Sequence, residues 1–141
     1  MKIIPYEASY RDDLMFMVQE ARNALGRVPH LNEDLLAIPQ YYLSSGDRFW
    51  LAADAQRVVG GIGCNRYGPD TAKLHRFYVK CTMKRQGIGT RLLETAEQVL
   101  REAGYRFVVV HLGGKGYEES GQFYPKRGYK EFGTDLLRKE L

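Results

Sequence analysis

A glycine-rich turn separates a strand-like run from the most regular helical pattern of this chain, and it limits both the fold and the ligand. The turn contains Lys84, Arg85, Gln86, Gly87, Ile88, Gly89 and Thr90. Gly87 and Gly89 carry no Cβ, so a ligand can approach their backbone closely. The first N–H groups of a helix have no partner inside it, and the helix dipole favours an anion there. Because no acidic residue occurs between Lys80 and Glu94, the sequence predicts a site for a phosphorylated ligand at this turn.

Composition excludes several classes of protein. The chain has 141 residues, 44% of them hydrophobic, which is enough for one domain with a core. The net charge of +4 comes without a long basic run, so a nucleic-acid-binding module is disfavoured. No apolar run approaches the ~20 residues of a membrane helix, no signal peptide is evident, and Cys64 and Cys81 lack metal-ligand spacing. We therefore expect a single cytoplasmic domain over residues 1–141, with reduced thiols and without a metal, a membrane or a nucleic acid as partner.

Hydrophobic periodicity predicts a strand and two helices, followed by three strands, before the turn. The predicted elements are a short strand at Ile3 and Ile4, a helix over 10–24, a second helix capped by Asn32 and interrupted at Pro39, and strands at 48–53, 57–66 and 71–79. Residues 9–12 fit a capping box at the start of the first helix. The three strands have short connections, which indicates an antiparallel meander.

After the turn the pattern predicts a strand–helix–strand crossover. The helix has one apolar stripe, formed by Ile88, Leu92, Leu93, Ala96, Val99, Leu100 and Ala103. A strand at 105–112 follows, with both faces buried, and such a crossover is right-handed with parallel pairing. A flexible turn at 113–116, a short helix from Glu118 to Tyr124 and strands at 128–132 and 135–141 complete the chain. The predicted fold is α/β with layered α+β character and the order β-α-α-β-β-β-α-β-α-β-β.

Other glycine-rich loops fit the turn less well. A dinucleotide-binding oxidoreductase requires G-x-G-x-x-G/A, and Leu92 stands where the third glycine or alanine would be. A nucleoside-triphosphate loop requires G-x-x-x-x-G-K-[ST], which is absent. A structural alternative remains open, in which Gly87 and Gly89 only allow close packing of the helix on the strand. The surrounding basic residues favour the ligand site.

Two motifs together make the chain recognisable. The first is the turn, which follows a strand ending at Val79. The second is the C-terminal run of Phe123, Tyr124, Pro125, Lys126, Arg127, Gly128 and Tyr129. In this order and spacing they resemble the motifs of the GNAT superfamily, the acyl-CoA-dependent N-acyltransferases, and the resemblance extends over essentially the whole chain. It implies a mixed, mostly antiparallel central sheet that is splayed between the fourth and fifth strands.

The resemblance also implies a site for acetyl-CoA as co-substrate. In such enzymes the backbone N–H groups of the loop and of the first helical turn bind the pyrophosphate of coenzyme A. That role falls here on residues 84–90. The pantetheine arm lies between the splayed strands and pairs with exposed backbone, as an added strand would. Phe77 and Val79 hold the matching positions on the fourth strand.

Tyr124 and His75 are the candidate catalytic residues. Tyr124 matches the family's tyrosine near the thioester sulfur, which implies a general acid that protonates the leaving thiolate. The alternative is a core tyrosine whose hydroxyl is bonded to backbone. Many members carry a glutamate as general base where this chain has Lys73. His75 lies two residues further on the same face of the strand, and its unperturbed pKa of ~6.5 suits a base. A structural histidine, a base at His111 and a water chain remain alternatives.

Other departures from the family pattern affect the cofactor side. Lys84 replaces the usual arginine or glutamine, and lysine still suits a phosphate as a point charge. Tyr117 and Ser120 stand where the family often has asparagine and alanine, which alters contacts to the pantetheine arm. Pro125 should end or bend the short helix next to Tyr124.

We expect an enzyme that transfers acetyl from acetyl-CoA to a primary amine by direct attack in a ternary complex. The alternative is a catalytically silent acyl-CoA-binding or regulatory domain of the same fold. The acceptor, a small molecule or a peptide amine, is not specified, because its determinants lie at residues 22–46 and 113–119, where no motif occurs. Candidate aromatic residues for the acceptor side are Tyr41, Tyr42, Phe49 and Trp50, although core positions are favoured for Trp50 and one tyrosine. A homodimer is also open, since no interface is specified.

Overall fold

The computed structural model describes residues 1–26, 32–43, 48–112 and 118–141. The strands are β1 (Lys2–Pro5), β2 (Arg48–Asp54), β3 (Arg57–Arg66), β4 (Thr71–Val79), β5 (Phe107–His111), β6 (Lys130–Gly133) and β7 (Leu136–Glu140). The helices are α1 (Arg11–Ala24), α2 (Glu33–Leu36), α3 (Ile38–Tyr41), α4 (Ile88–Glu102) and α5 (Glu118–Phe123). Short 3₁₀ turns lie at Ala8–Tyr10, Cys81–Met83 and Pro125–Arg127. The predicted element order is confirmed, and the second predicted helix is divided at Ala37 into α2 and α3, with Pro39 in the first turn of α3.

In the described part of the chain, seven strands form one mixed sheet in the order β1-β2-β3-β4-β5-β7-β6. The predicted meander is confirmed, because β2, β3 and β4 pair antiparallel in sequence order. β4 and β5 pair parallel and are connected by the helical crossover through α4. The fold is therefore the mixed, mostly antiparallel α/β class predicted from the sequence.

β4 and β5 pair over a short distance only. Their register runs from Thr71 opposite Phe107 to Lys73 opposite Val109, whereas β4 continues to Val79. On its other side β5 pairs with β7 along its whole length. The edge of β4 beyond Lys73 therefore faces a gap, which is the predicted splay between the fourth and fifth strands.

The core consists of two buried clusters. The first packs α4 against the sheet and includes Ile88, Leu92, Leu93, Ala96 and Leu100 from the predicted stripe. The second packs α1, α2 and α3 against the sheet and includes Leu14, Met17, Val18, Leu35 and Ile38. Along β2, Trp50 and Ala52 belong to the first cluster while Phe49 and Leu51 belong to the second. This alternation is the period of two that a strand between two layers of helices requires.

Several sequence-based expectations differ from the structure or fall outside it. The capping box at residues 9–12 is wrong, because Tyr10 precedes α1, makes no side-chain capping bond and ends a 3₁₀ turn. The residues predicted as a turn at 113–116 lie outside the described residues. So do parts of the two segments predicted to determine the acceptor, at 27–31, 44–46 and 113–117. Within the described ranges, no helix is long and apolar enough to cross a bilayer.

Candidate active site

A β-bulge in β4 decides which side chains face the two sides of the site. His75 and Tyr78 lie three residues apart, yet their partners on β3 are only two residues apart. The extra residue is accommodated at Arg76, whose φ of 52° is left-handed. After the bulge, Phe77 and Val79 pack against the core cluster under α4, whereas the ring of His75 lies toward the α1–α3 side. Without the bulge these three side chains would share one face.

A cleft of about 600 Å³ lies between the second half of β4, the start of α4 and the C-terminal motif. The predicted cofactor-binding residues on its wall are Phe77, Val79, Lys84, Arg85, Gly87, Ile88, Gly89 and Thr90. Gln86 is exposed and does not line this cleft. The fold thus gathers eight of the nine predicted cofactor-binding residues around one cleft.

The start of α4 presents backbone N–H groups to this cleft. The first helical bond runs from the N–H of Arg91 to the carbonyl of Gly87, at 3.0 Å. The N–H groups of Ile88, Gly89 and Thr90 therefore precede the bonding pattern of the helix. All three residues line the cleft, so a phosphate there would meet N–H donors and the positive end of the helix dipole.

The two glycines of the turn are required for different reasons. Gly87 has a φ of 81°, and nothing lies within 4 Å of the position that its Cβ would take. Its requirement is the left-handed backbone, not space. A Cβ on Gly89 would lie 3.5 Å from Val79 Cγ2 and 3.6 Å from the ring of Phe77. A methyl group there would fit without a clash, but it would take up space in the cleft. The missing side chain leaves this space open, as the pyrophosphate and pantetheine of coenzyme A would require.

Arg127 joins the C-terminal motif to the start of α4. Its Nε and Nη2 donate to Thr90 Oγ1 at 3.2 and 2.7 Å, and its Nη1 donates to the carbonyl of Phe123 at 2.9 Å. The guanidinium also lies 3.7 Å from the centroid of the Phe123 ring. The basic residues on the wall of the cleft are Lys84, Arg85, Lys126 and Arg127. This role of Arg127 leaves no signal in the sequence, because a contact across 37 residues has no local pattern.

Tyr124 lines the cleft with a buried ring. Its ring packs edge-on against Phe77, Phe123 and Tyr129 at centroid distances of 6.1, 5.3 and 5.3 Å. No described residue accepts a hydrogen bond from its hydroxyl, unlike that of Tyr129. Burial, with a further contribution from Tyr78, raises the pKa of Tyr124 far above its usual value. The phenol therefore stays neutral at physiological pH and can donate a proton or a hydrogen bond.

A second cavity, of about 540 Å³, opens where β4 and β5 diverge. It shares Phe77, Tyr78 and Tyr124 with the first cleft. His75 and His111 also line it. Both predicted catalytic residues, Tyr124 and His75, therefore lie on the wall of one cavity that joins the predicted cofactor cleft.

His75 is half-buried on the wall of the second cavity, and its ring centroid lies 6.2 Å from that of Tyr42. Burial lowers the pKa of its imidazole, and the charges of Lys73 and Arg76 lower it further, against the opposing charge of Asp34. The imidazole is therefore neutral near pH 7 and able to accept a proton. His111 lines the same cavity but is exposed.

A polar network links the bulge of β4 to α2. Arg76 Nε and Nη2 each donate to a carboxylate oxygen of Asp34 at 2.9 Å, and the Tyr42 hydroxyl donates to the same carboxylate. Burial acts to raise the pKa of Asp34, but the hydrogen bonds from Arg76 and Tyr42 outweigh it and hold that pKa below its usual range. This network could not be predicted from the sequence, because nothing in the pattern around Asp34 distinguishes it from a solvated helix residue.

The remaining candidate residues from the sequence, four aromatic residues and two cysteines, differ in burial and in whether they line a cavity. Tyr42 lines the second cavity, whereas Phe49 and Trp50 are buried in the core and Tyr41 is exposed. Cys64 is buried, and Cys81 is half-buried with its Sγ 4.0 Å from a carboxylate oxygen of Glu20. Among the described residues, no three His, Cys, Asp or Glu side chains are grouped to hold a metal ion.

The fold, the glycine turn and the C-terminal motif agree with what comparison with known proteins shows. The model of the acetyltransferase (GNAT) family matches residues 14–129. This chain belongs to that family.

Curated relatives are N-acetyltransferases. N-acetyltransferase 8B of Rattus norvegicus is 28% identical over 125 residues, which covers 77% of this chain and 56% of the relative. N-acetyltransferase 8 of Homo sapiens is 30% identical over 110 residues, which covers 74% of this chain and 48% of the relative. The chain thus spans about half the length of the curated relatives it matches.

Solved structures share the fold over nearly the whole chain. A GNAT-family acetyltransferase from Staphylococcus aureus Mu50 superposes with a TM-score of 0.90 at 23% identity, covering 99% of this chain and 98% of that one. An aminoglycoside 6'-N-acetyltransferase complexed with coenzyme A superposes with a TM-score of 0.78 at 18% identity, covering 99% and 97%. At these identities the comparison establishes the architecture.

Proposed function

We propose that this protein is an acyl-CoA-dependent N-acetyltransferase that acts on a primary amine. The main support for this proposal is that the cleft at the start of α4 and the cavity between β4 and β5 share three lining residues, Phe77, Tyr78 and Tyr124. A thioester held in the first and an amine held in the second would therefore come together beside a buried, neutral phenol. Similar proteins that are N-acetyltransferases, and similar structures that contain coenzyme A, support the transfer of an acetyl group to an amine.

Acetyl-CoA fits the first cleft by its charge and shape. The N–H groups of Ile88, Gly89 and Thr90 would bind the pyrophosphate, with the basic residues of the cleft wall around it. The pantetheine arm would pair with the open edge of β4 near Phe77 and Val79, where the register with β5 has ended. The acetyl thioester would then lie close to Tyr124.

Acetyl-CoA supplies the activated acyl group, and the chain supplies position and proton transfer. His75 takes one proton from the ammonium of the acceptor. The amine nitrogen bonds to the carbonyl carbon, and the C–S bond breaks with its electron pair going to sulfur. Tyr124 protonates the sulfur, and the second proton of the amine returns to the phenol. The products are an amide and coenzyme A thiol, with one proton left on His75.

The raised pKa of Tyr124 limits how it can act. A thiol titrates near ~8.5, so a phenol with a pKa raised above its usual value protonates a thiolate unfavourably by itself. Transfer becomes favourable when the nitrogen that has attacked the carbonyl, which is still protonated, passes its proton to the phenol in the same step. Tyr124 is therefore proposed as a proton conduit and hydrogen-bond donor between nitrogen and sulfur.

The test is release of coenzyme A thiol in the presence of a panel of primary amines. We expect thiol release above the rate of hydrolysis, together with one acetamide per thiol detected by mass spectrometry. Binding of acetyl-CoA with no amine-dependent thiol release would instead support a silent acyl-CoA-binding domain, the alternative that the lysine at position 73 suggests.

A further inference from the structure

The second cavity has an uneven distribution of charge. The cations among its described lining residues are Arg22, Lys73 and Arg76, and the one carboxylate there is Asp34. Arg76 engages that carboxylate with both arms of its guanidinium at 2.9 Å. The negative charge of the cavity is therefore already neutralised within the protein, and a positive excess remains for a ligand to meet.

Lys73 is the lysine of this cavity, and its ammonium has no anionic partner among the described residues. Its recorded contact is with the ring of Tyr67, whose centroid lies 5.5 Å from Nζ. The side chain is half-buried on the cavity wall. Arg22, by comparison, donates to the Tyr78 hydroxyl at 3.4 Å. The attraction between an ammonium and a ligand anion is stronger when the ammonium is half-buried than when it is fully solvated, because less water screens the two charges. This applies to Lys73, whose ammonium has no carboxylate partner among the described residues.

Lys73 and His75 are two residues apart on the same stretch of β4, before the bulge, and both line the cavity. Two residues of a strand span ~7 Å, and the lysine side chain is flexible. A molecule whose amine lies at His75 can therefore place a negative group at Lys73 when only a few bonds separate the two groups. A second ammonium in that place would face repulsion from the lysine.

We propose that the acceptor is a compact amino acid-like molecule, with an anionic group a few bonds from the amine, and that Lys73 binds this anionic group. This proposal rests on the proposed function for the amine itself. The anion is a carboxylate or a phosphate, since both accept hydrogen bonds from an ammonium. Lys73 is then a specificity-determining residue of this cavity.

The first experiment measures binding without requiring turnover. N-acetylglycine and its neutral counterpart N-acetylglycinamide are titrated into the protein saturated with coenzyme A, and N-acetylaminomethylphosphonate serves as the phosphate-like arm. We expect the anionic compounds to bind at least about tenfold more tightly than the neutral one, as one charge-assisted hydrogen bond provides. The ratio between the two anionic compounds identifies which anion the cavity prefers.

Variants connect that preference to one side chain. Lys73→Gln should abolish the preference while leaving coenzyme A affinity unchanged, and Lys73→Arg should retain most of it. Lys130→Gln removes a lysine on the exposed strand β6 and serves as the matched control, with the preference unchanged. Thermal unfolding of each variant checks the fold.

The outcomes separate this proposal from the proposed function. Equal binding of the charged and neutral compounds, or a preference that survives in Lys73→Gln, overturns the anion site whatever the turnover. A preference that depends on Lys73 supports the site. If that preference is found but no amine of the panel, glycine and β-alanine included, releases thiol, the anion site stands and the acetyltransferase assignment falls.

Discussion

Tyr124 and Tyr129 lie in the same buried aromatic cluster, with ring centroids 5.3 Å apart, but their hydroxyls differ in environment. The Tyr129 hydroxyl donates to the buried carboxylate of Glu97 at 2.7 Å, which also accepts from Lys139 at 2.9 Å. The Tyr124 hydroxyl has no hydrogen-bond partner among the described residues, and Tyr124 lines both cavities. The ring of each tyrosine serves packing, so removing only the hydroxyl separates structure from chemistry.

We expect Tyr124→Phe to lower kcat by roughly 10²- to 10⁴-fold, the usual contribution of a positioned acid or base, with an unchanged unfolding temperature. Tyr129→Phe should instead lower the unfolding temperature and leave kcat unchanged. It removes a buried hydrogen bond to the carboxylate of Glu97, worth ~1–3 kcal/mol of stability, and does not change the residues shared by the two cavities. Steady-state kinetics and thermal unfolding of both variants test this. Loss of stability without loss of activity in Tyr124→Phe would identify it as a structural tyrosine.

His75 should give the enzyme an acid limb in its pH profile. Burial and then Lys73 hold the folded pKa of His75 below its unfolded value of ~6.5, and the neutral imidazole is the proposed base. Activity should therefore fall as pH drops through this lowered pKa, and His75→Gln should flatten that limb. An unchanged limb in the variant would transfer the role to water or to His111.

The same pKa shift predicts how stability depends on pH. As pH falls below ~6.5, His75 takes up a proton in the unfolded chain, whereas in the folded protein it does so only at its lower pKa. The free energy of unfolding therefore decreases between these two pKa values. His75→Gln should show a smaller decrease over that window in denaturant titrations. A decrease equal to that of the original chain would mean that His75 is no more buried than in the unfolded state.

The two glycines of the turn form a matched pair of substitutions. Gly87→Ala places a side chain at a φ of 81° and should lower stability by ~1–2 kcal/mol. Gly89→Ala lies in the first turn of α4 with room for the methyl group, so the fold should be at least as stable. The methyl group occupies the cleft, however, and coenzyme A affinity should fall by about tenfold, equal to ~1.4 kcal/mol. Calorimetric titration and thermal unfolding measure both, and normal affinity in Gly89→Ala would contradict the assigned cleft.

At the scale of elements, the bridge between Arg76 and Asp34 connects α2 to the bulge of β4. Their side chains are 21% and 15% exposed, and the pair is bidentate. Arg76→Lys should cost about 1–3 kcal/mol of stability because a lysine cannot make both bonds. Arg11→Lys, at an exposed pair with Asp12, should change stability by less than ~1 kcal/mol. Equal effects in denaturant unfolding would show that the buried bridge does not stabilise the bulge.

The regular elements were predictable from the sequence, whereas the bulge was not. The periods of two and 3.6 in apolar residues define the strands and the buried stripe of α4 because each element buries one face. The bulge depends on Arg76, and an arginine in the left-handed region has no local sequence pattern. The buried Glu97 was missed for the same reason, since its partners Tyr129 and Lys139 lie 32 and 42 residues further along the chain.

For the whole molecule, the glycine turn and the C-terminal motif were sufficient to predict the family. The turn combines a left-handed glycine with the start of a helix, and such backbone features have local sequence patterns. The second cavity is lined by residues of α1, α2, β3, β4 and β5 together. Its charge therefore became visible only when the fold brought Lys73, His75 and Asp34 around one cavity.

Coenzyme A is proposed to bind in the cleft at the start of α4. Thermal unfolding with acetyl-CoA, coenzyme A, NAD and ATP tests this binding. At 100 times its dissociation constant, a ligand that binds only the folded state stabilises it by ~2.7 kcal/mol. We expect an increase in unfolding temperature with acetyl-CoA and coenzyme A but not with NAD or ATP. No increase with either coenzyme A compound would contradict the account, and the glycine turn would then serve only the packing of α4 on the sheet.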